Sequence, residues 1–400
     1  MKLLLSAIAP FVMFFALNAQ NLTHVDITKA KFGNRSGEEI FQDIEIVPLE
    51  THKKGLLNIN AATYYLTDKY IIGLNFWGPA YLFDRKTGAF IREVSSEGRG
   101  PNEYVGWLYN RYGFDEKNNI LFAGIPSKGG VWKSINIEAN NIKSFVSRPL
   151  PEDNREYYSI QTPWFLKDNM YISFCNNVTG KDKIRLIVHD KEGTVLKKYP
   201  NYLEYDAAGN RDTPFEPGIF YYYNDQTYFK EMMFNDTVFC VNETEMSPHI
   251  VFKLGDKQPS YYHRYNKNNP NKEKYFISFV YESNSFILFN FYYYVETAKS
   301  IAPSRTIHTG YYDKKSKQVF ISSTSDLKSS GYTISGIPVK FYPGVINKNN
   351  EMIAQIDPME LLENKDKIGS KYRDLFKNTQ EGDNPIIIIA KFIDDTILSH

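Results

Sequence analysis

The chain has 400 residues, with 47 Lys and Arg against 46 Asp and Glu, and 16% of it is aromatic, mostly Tyr (30) and Phe (28). A balance this even provides no basic field for nucleic acid and no acidic tail. Two cysteines are too few to staple a disulfide scaffold, while so many Tyr and Phe favour half-buried pleated surfaces and also make flat stacking platforms for ligands.

The first twenty residues, "MKLLLSAIAPFVMFFALNAQ", place Lys2 before an apolar run from Leu3 to Leu17 and a small residue, Ala19. The run is short for a span of about 20 residues, so the pattern reads as an export signal cleaved after Ala19. No cysteine sits at that point, so the reading is a periplasmic or secreted protein and not a lipoprotein. Residues 20–400 then form the mature chain, read as a single domain. None of its segments is long and apolar enough to cross a bilayer.

"IFQDIEIVPLET" (40–51) is the first strand signal and has no meander of its own. A meander follows in "YIIGLN" (70–75), "AYLFD" (80–84) and "AFIREVS" (89–95), the last two joined by the polar turn "RKTG". The segment "SSEGRGPNEY" (95–104) holds two glycines and a proline. A phosphate-cradling loop would run into a helix N-terminus, but "VGWLYNRYGF" (105–114) is aromatic and strand-like, so the phosphate reading fails. Gly98 and Gly100 read as positions of unusual backbone conformation where the chain changes blade, and Pro101 as the fixed bend. Alternatively, Arg99, Tyr104 and Trp107 line a binding mouth.

Further along, "YGFDEKNNILFAG" (112–124), "WFLKDNMYISF" (164–174) and "MFNDTVFCV" (233–241) share one hairpin, in which Asp, Asn or Lys at a bend precedes an apolar strand. "LIVHDKEGTVLKKY" (186–199) and "GYYDKKSKQVFIS" (310–322) repeat the earlier Asp-bearing turn. Cys175 and Cys240 both lie in strand-like runs. An oxidising compartment permits a disulfide between them, but burial as free thiols in the core is the preferred reading. Near the C-terminus, "DPMELLENKDKIGSKYRDLFKNTQEGDN" (357–384) has helical spacing at Met359, Leu362, Tyr372, Leu375 and Phe376. It reads as a helical insertion, either covering one end of the fold or forming a surface excursion. "NPIIIIAKFI" (384–393) is the final strand.

These landmarks recur roughly every 45 to 65 residues, the spacing of propeller blades. Six units start near residues 60, 105, 158, 218, 275 and 330. The predicted fold is all-β, a six-bladed β-propeller, with the strand at 40–51 completing the last blade and closing the ring, and a short helical insertion near the C-terminus. Closure of this kind removes exposed strand edges.

"GRGPNEY", placed after "LFDRKTGAFIREVSSE", resembles the G-x-G-P-x-E-Y/F segment of a family of exported bacterial proteins described as six-bladed β-propellers. "IEIVPLET" and "NPIIIIAKF" are similar to that family's first and last strands, so the resemblance extends over most of residues 40–393. The wider group is similar to NHL-repeat and TolB-like propellers. The resemblance implies a fold and an export route, and no reaction.

The residues themselves carry little chemistry. No G-x-S-x-G occurs, and the seven histidines show neither H-E-x-x-H nor an i, i+4 pair. Cys and His are too few and wrongly spaced for a metal site, so neither metal nor cofactor is expected. Asp84 in "DRKTG" and Asp190 in "DKEG" resemble half of a calcium loop but lack its later acidic ligands, and read as turn residues. Paired carboxylates that meet only in space are invisible at this level. In "PSRTIHTGYYD" (303–313), Arg305 and His308 suit an anionic or hydroxylated ligand if they face the channel; an outer, surface-facing strand is the other reading. "FYYYN" (220–224) and "FNFYYY" (289–294) suit either sugar stacking or blade packing.

The functional expectation is a non-enzymatic exported protein binding a small molecule, glycan or protein partner at the mouth of the propeller, with Arg99, Tyr104, Trp107, Arg305 and His308 as candidate contacts. The alternatives are a glycan-active hydrolase or lyase, and a structural component of an envelope complex. An enzyme predicts acidic or His side chains converging in the channel with displaced pKa values. A small-ligand binder predicts an aromatic-walled pocket, and an interaction protein an exposed apolar patch.

Overall fold

Short strands separated by Asp, Asn and Gly turns pair with their sequence neighbours into antiparallel meanders, and six of these form the ring of a β-propeller. The computed structural model describes residues 22–33, 36–59, 62–75, 79–97, 103–104, 112–123, 131–139, 141–147, 159–160, 163–206, 218–231, 233–263, 271–295, 304–322 and 331–393. Residues 1–19, read from the sequence as an export signal, lie outside them. Blades 1 to 5 occupy residues 62–97, 112–147, 164–200, 218–253 and 276–321. Blade 6 takes Val345–Ile346, Glu351–Ile356 and Ile386–Phe392 from the end of the chain, and Phe41–Pro48 from its beginning as the fourth strand. Phe41 pairs with Phe392 and Pro48 with Ile386, so the ring closes through the two predicted strands.

The first strand of each blade lies innermost and the fourth faces outward; in Val195–Pro200 of blade 3 most side chains are exposed. The turn between third and fourth strands is built the same way in blades 1 to 5. Asp84, Asn136, Asp190, Asn242 and Asp313 each accept a hydrogen bond from a backbone amide two to four residues on, at 2.7–2.9 Å. Such side chains satisfy turn amides that no strand can reach. The carboxylates of Asp84 and Asp190 are therefore turn-forming groups, as their spacing suggested.

Two features go beyond the sequence reading. Thr23–Asp26 adds in parallel to the outer strand of blade 4, with Val25 opposite Phe252, and Lys31–Phe32 adds in parallel to the outer strand of blade 5, with Phe32 opposite Ile321. The N-terminal segment is thus a strap along two blades before it enters the sixth. In addition, a hairpin (Tyr332–Ile334 and Ile337–Phe341) precedes the sixth blade, whose first strand begins at Val345 and not near 330.

The insertion at 357–384 forms helix α1 (Pro358–Glu363), one 3-10 turn and helix α2 (Ser370–Phe376). Asp357 caps α1 by accepting from the Met359 amide at 2.8 Å, and Pro358 takes the first helical position, where a missing N–H costs nothing. Leu361, Ile368 and Phe376 are buried while Met359 and Leu375 are exposed. The buried face of α1, Pro358 and Leu361, is one residue out of step with the expected stripe of Met359 and Leu362. The insertion is packed down, not a free excursion.

One continuous apolar cluster runs through blades 4, 5 and 6, the strap residues Val25 and Ile27, the extra hairpin and both helices. Separate, smaller clusters join blade 1 to 2, blade 6 to 1, blade 3 to 4 and blade 2 to 3. Cys175 and Cys240 are buried in blades 3 and 4 and are not joined by a disulfide.

Candidate functional site

The innermost strands fill the ring's centre with aromatic rings. Tyr65 of blade 1 stacks on Phe114 of blade 2 at 5.2 Å, and Trp164 of blade 3 lies 4.9 Å from Tyr222 of blade 4. The Tyr222 hydroxyl donates to the carbonyl of Phe165 at 2.6 Å. Burial raises the phenol pKa of both Tyr65 and Tyr222, and the Glu116 carboxylate of blade 2 raises both further. Blades 2 and 4 are not neighbours, so these side chains meet at the axis.

Two carboxyls converge at this end, where the turns between first and second strands gather. Glu116 accepts from the Lys348 amide of blade 6 at 2.6 Å, and the Lys348 ammonium donates to the Glu116 carbonyl at 3.2 Å. Burial pushes the Glu116 carboxyl up to about 7 against the pull of Lys348. Asp115 is also raised by burial, although it accepts from the Lys117 and Asn118 amides at 3.1 Å and from the Asn118 side chain at 2.7 Å. Both groups are held by turns that tie blade 2 to itself and to blade 6. Beside them, Arg85 of blade 1 makes a two-pronged ion pair with Glu351 of blade 6, at 3.0 and 2.8 Å. Burial alone would raise Glu351; hydrogen bonds from Arg85 and Asn347 overcome it and hold the group below its ordinary value.

The opposite mouth is open where blade 6 meets blade 1. A cavity of about 420 Å³ lies between the start of blade 1's first strand, the Tyr342–Val345 segment, the end of blade 6's second strand and α1. Tyr64 forms its inner wall; it is 5% exposed, and its hydroxyl donates to Gln355 Oε1 at 2.6 Å. The Gln355 amide in turn donates to the Ile59 carbonyl at 2.7 Å, so wall and floor are fixed by one chain of bonds across the seam. The hydroxyl of Tyr281, from blade 5, donates to the Gly344 carbonyl and holds the far side. Pro343, Val345 and Ile353 supply apolar surface, while Thr63, Lys340, Asp357 and Glu360 supply polar groups. The cavity thus combines apolar surface with a few polar groups, features that small-molecule sites share.

Of the candidate contacts, Arg99 and Trp107 lie outside the described residues. Tyr104 has its backbone in a two-residue strand paired in parallel with Glu97, and its side chain is likewise outside. Arg305 lies on the third strand of blade 5 opposite Tyr294, and its side chain too is outside the described residues. His308, on the same strand, is buried. Its ring stacks on Phe291 at 5.1 Å and on Tyr293 at 5.9 Å, and Nδ1 lies 3.2 Å from the Ser322 carbonyl. Burial pulls its pKa below the ordinary histidine value. Within "FYYYN" and "FNFYYY", Tyr221, Phe289, Phe291 and Tyr292 are buried, as blade packing requires. Sequence reasoning missed Tyr64 and Gln355, which stand 291 residues apart and meet only on ring closure.

The family described as "Domain of unknown function (DUF4934)" matches residues 22–391. Among solved structures, one described as a "Putative exported protein" from Bacteroides fragilis NCTC 9343 is similar to this chain at 16% identity and a TM-score of 0.64, covering 93% of this chain and 100% of that one. A member of the duf4221 family from Bacteroides vulgatus atcc 8482 is similar at 11% identity and a TM-score of 0.52, covering 88% and 98%. At these identities the likeness is one of fold. No curated protein matches the sequence. Among the described residues, no helix is long and apolar enough to cross a membrane.

Proposed function

Because the chain belongs to the DUF4934 family, whose description carries no activity, we propose its function from the pocket: an exported protein that binds a small hydroxylated molecule of sugar size between blades 6 and 1. The observation that carries this reading is the cavity of about 420 Å³ at the open mouth, within the range of about 300–1,000 Å³ usual for small-molecule sites. Its apolar face suits the C–H side of a ring. Thr63, Asp357 and Glu360 are placed to take hydroxyl groups, and the Tyr64–Gln355–Ile59 chain holds the wall in advance of binding. Preorganisation of this kind spares the ligand the cost of ordering the site. Export is supported by the leader pattern of residues 1–19 and by the name of the Bacteroides fragilis relative.

The test is a thermal-shift screen of the mature chain against monosaccharides, disaccharides and polyols. A ligand at a hundred times its Kd stabilises the fold by about 2.7 kcal/mol. The expected result is a shift with at least one compound, abolished by Thr63→Trp, which fills the mouth from an exposed strand position. No shift across the panel, or a shift that survives Thr63→Trp, contradicts the reading. A Trp107→Ala variant that weakens the same binding would extend the site toward the connection between blades 1 and 2.

A further inference from the structure

The helical insertion encloses a second cavity, of about 370 Å³, which shares no lining residue with the pocket between blades 6 and 1. Its volume is at the lower end of the range of about 300–1,000 Å³ usual for small-molecule sites. Leu361, Ile368 and Phe376, all buried, supply apolar surface. Lys365, Arg373 and Lys377 bring three cations to the same cavity, against one carboxylate, Asp366.

The walls are fixed by bonds within the insertion. The Gly369 amide donates to the Gly336 carbonyl at 2.9 Å, and a Cβ on Gly369 would stand 2.9 Å from the Gly336 Cα. Only glycine therefore lets the start of α2 lie this close to the extra hairpin. The Asn364 side chain closes α1 by donating to the Glu360 carbonyl at 3.0 Å. Arg373 Nε donates to the Ile368 carbonyl at 3.2 Å, a bond that holds the side chain against the wall and spends only one of its donors. A wall held in this way adds little ordering cost when a ligand enters.

The charges select the ligand. Among the described residues, Lys365 and Arg373 have no carboxylate partner, whereas Lys377 is paired with Asp374 at 3.7 Å. Of the three cations, one is thus held by Asp374 and one is offset by Asp366, which leaves a single positive charge at the cavity. A dianionic phosphate ester would exceed it, and a neutral ligand would leave it unanswered. The planar guanidinium fork matches a carboxylate, and the apolar surface beside it suits a hydrocarbon body. We propose that this cavity binds a small monocarboxylate, its head on Arg373 and Lys365 and its apolar body against Leu361, Ile368 and Phe376. The site goes beyond the reading of the pocket between blades 6 and 1 and does not depend on it.

The test is saturation-transfer NMR of the full mature chain titrated with octanoate, with octanamide as the uncharged counterpart and acetate as the charge without the body. The expected result is transfer to the octanoate methylenes, with octanamide and acetate bound at least about tenfold more weakly, one factor of ten in Kd. Octanoate affinity falls at least about tenfold in Lys365→Glu and in Arg373→Gln, and is kept in Lys365→Arg. Both positions are exposed, so an unchanged melting temperature certifies the fold of the variants. Thr63→Trp leaves the transfer intact. Absence of transfer, octanamide or acetate binding as well as octanoate, or octanoate affinity undiminished in Lys365→Glu overturns the site. Transfer lost in Thr63→Trp but kept in Lys365→Glu also overturns it and assigns the acid to the pocket between blades 6 and 1.

Discussion

Blades 4, 5 and 6 differ from blades 1, 2 and 3 in how their outer edges are finished. The strap covers the edges of blades 4 and 5, and the returning N-terminal strand forms the edge of blade 6. Blade 1 has only a two-residue parallel partner, and the outer strands of blades 2 and 3 have none among the described residues. The blade 3 edge carries Lys197 and Lys198, charges that discourage strand addition. The apolar interior follows the same division, one cluster through blades 4 to 6 against several small ones elsewhere. A propeller built from similar blades is therefore not uniform: its N-terminal segment concentrates burial in one half, and the pocket lies on the seam where that half meets blade 1.

The sharpest way to break this contrast is at ring closure. Phe41 is 2% exposed and packs against Tyr332, Phe341 and Phe392, with centroids 5.6, 6.0 and 5.0 Å away. Phe41→Ala is expected to cost about 3–5 kcal/mol in denaturant unfolding; a loss comparable to that of an exposed site would mean that the strap half is not the stability centre.

The next effect concerns the tie from blade 2 to blade 6. Glu116 has its pKa raised from 4.5 to about 7, so the fold favours its neutral form. Its contribution is complete below 4.5 and is lost as pH climbs through about 7. Between pH 5 and 8, the native protein should lose up to about 3 kcal/mol relative to Glu116→Gln, read from denaturant midpoints at each pH. Parallel profiles would contradict a Glu116 carboxyl raised by burial.

The smallest effect isolates the strap. Val25 is fully buried against blade 4, and Val25→Ala removes two carbons at about 0.8 kcal/mol each, with a cavity term bringing the cost to about 2 kcal/mol. Hydrogen exchange should quicken in the outer strands of blades 4 and 5 while blades 1 and 2 stay unchanged. Uniform quickening around the ring would erase the distinction between the halves.

Much of the ring was legible because its causes are local. "DRKTG" joins two strands through Asp84, whose side chain satisfies an amide three residues on, and "WFLKDNMYISF" joins two apolar strands through a tight turn with Asp168 at φ +49°. The ends "IEIVPLET" and "NPIIIIAKF" announced closure because the first strand had no partner nearby. The strap was not legible: Thr23–Asp26 is four residues long and pairs with a strand more than two hundred positions away. His308 illustrates a second limit. Alternation told that Arg305 and His308 lie on a strand, but only the sheet order shows that this strand is third from the axis and that His308 is sandwiched between rings. The pocket was hidden for the same reason as the strap, since Tyr64, Gln355 and Asp357 come from opposite ends of the chain and share no motif.

The most direct test of the seam as a binding site is hydrogen exchange of the mature chain with and without the monosaccharide panel at millimolar concentration. The proposal predicts slowed exchange at residues 62–64, 342–345 and 353–360, with the edges of blades 2 and 3 unchanged. Exchange unaltered throughout, or slowed only at another blade junction, would contradict it.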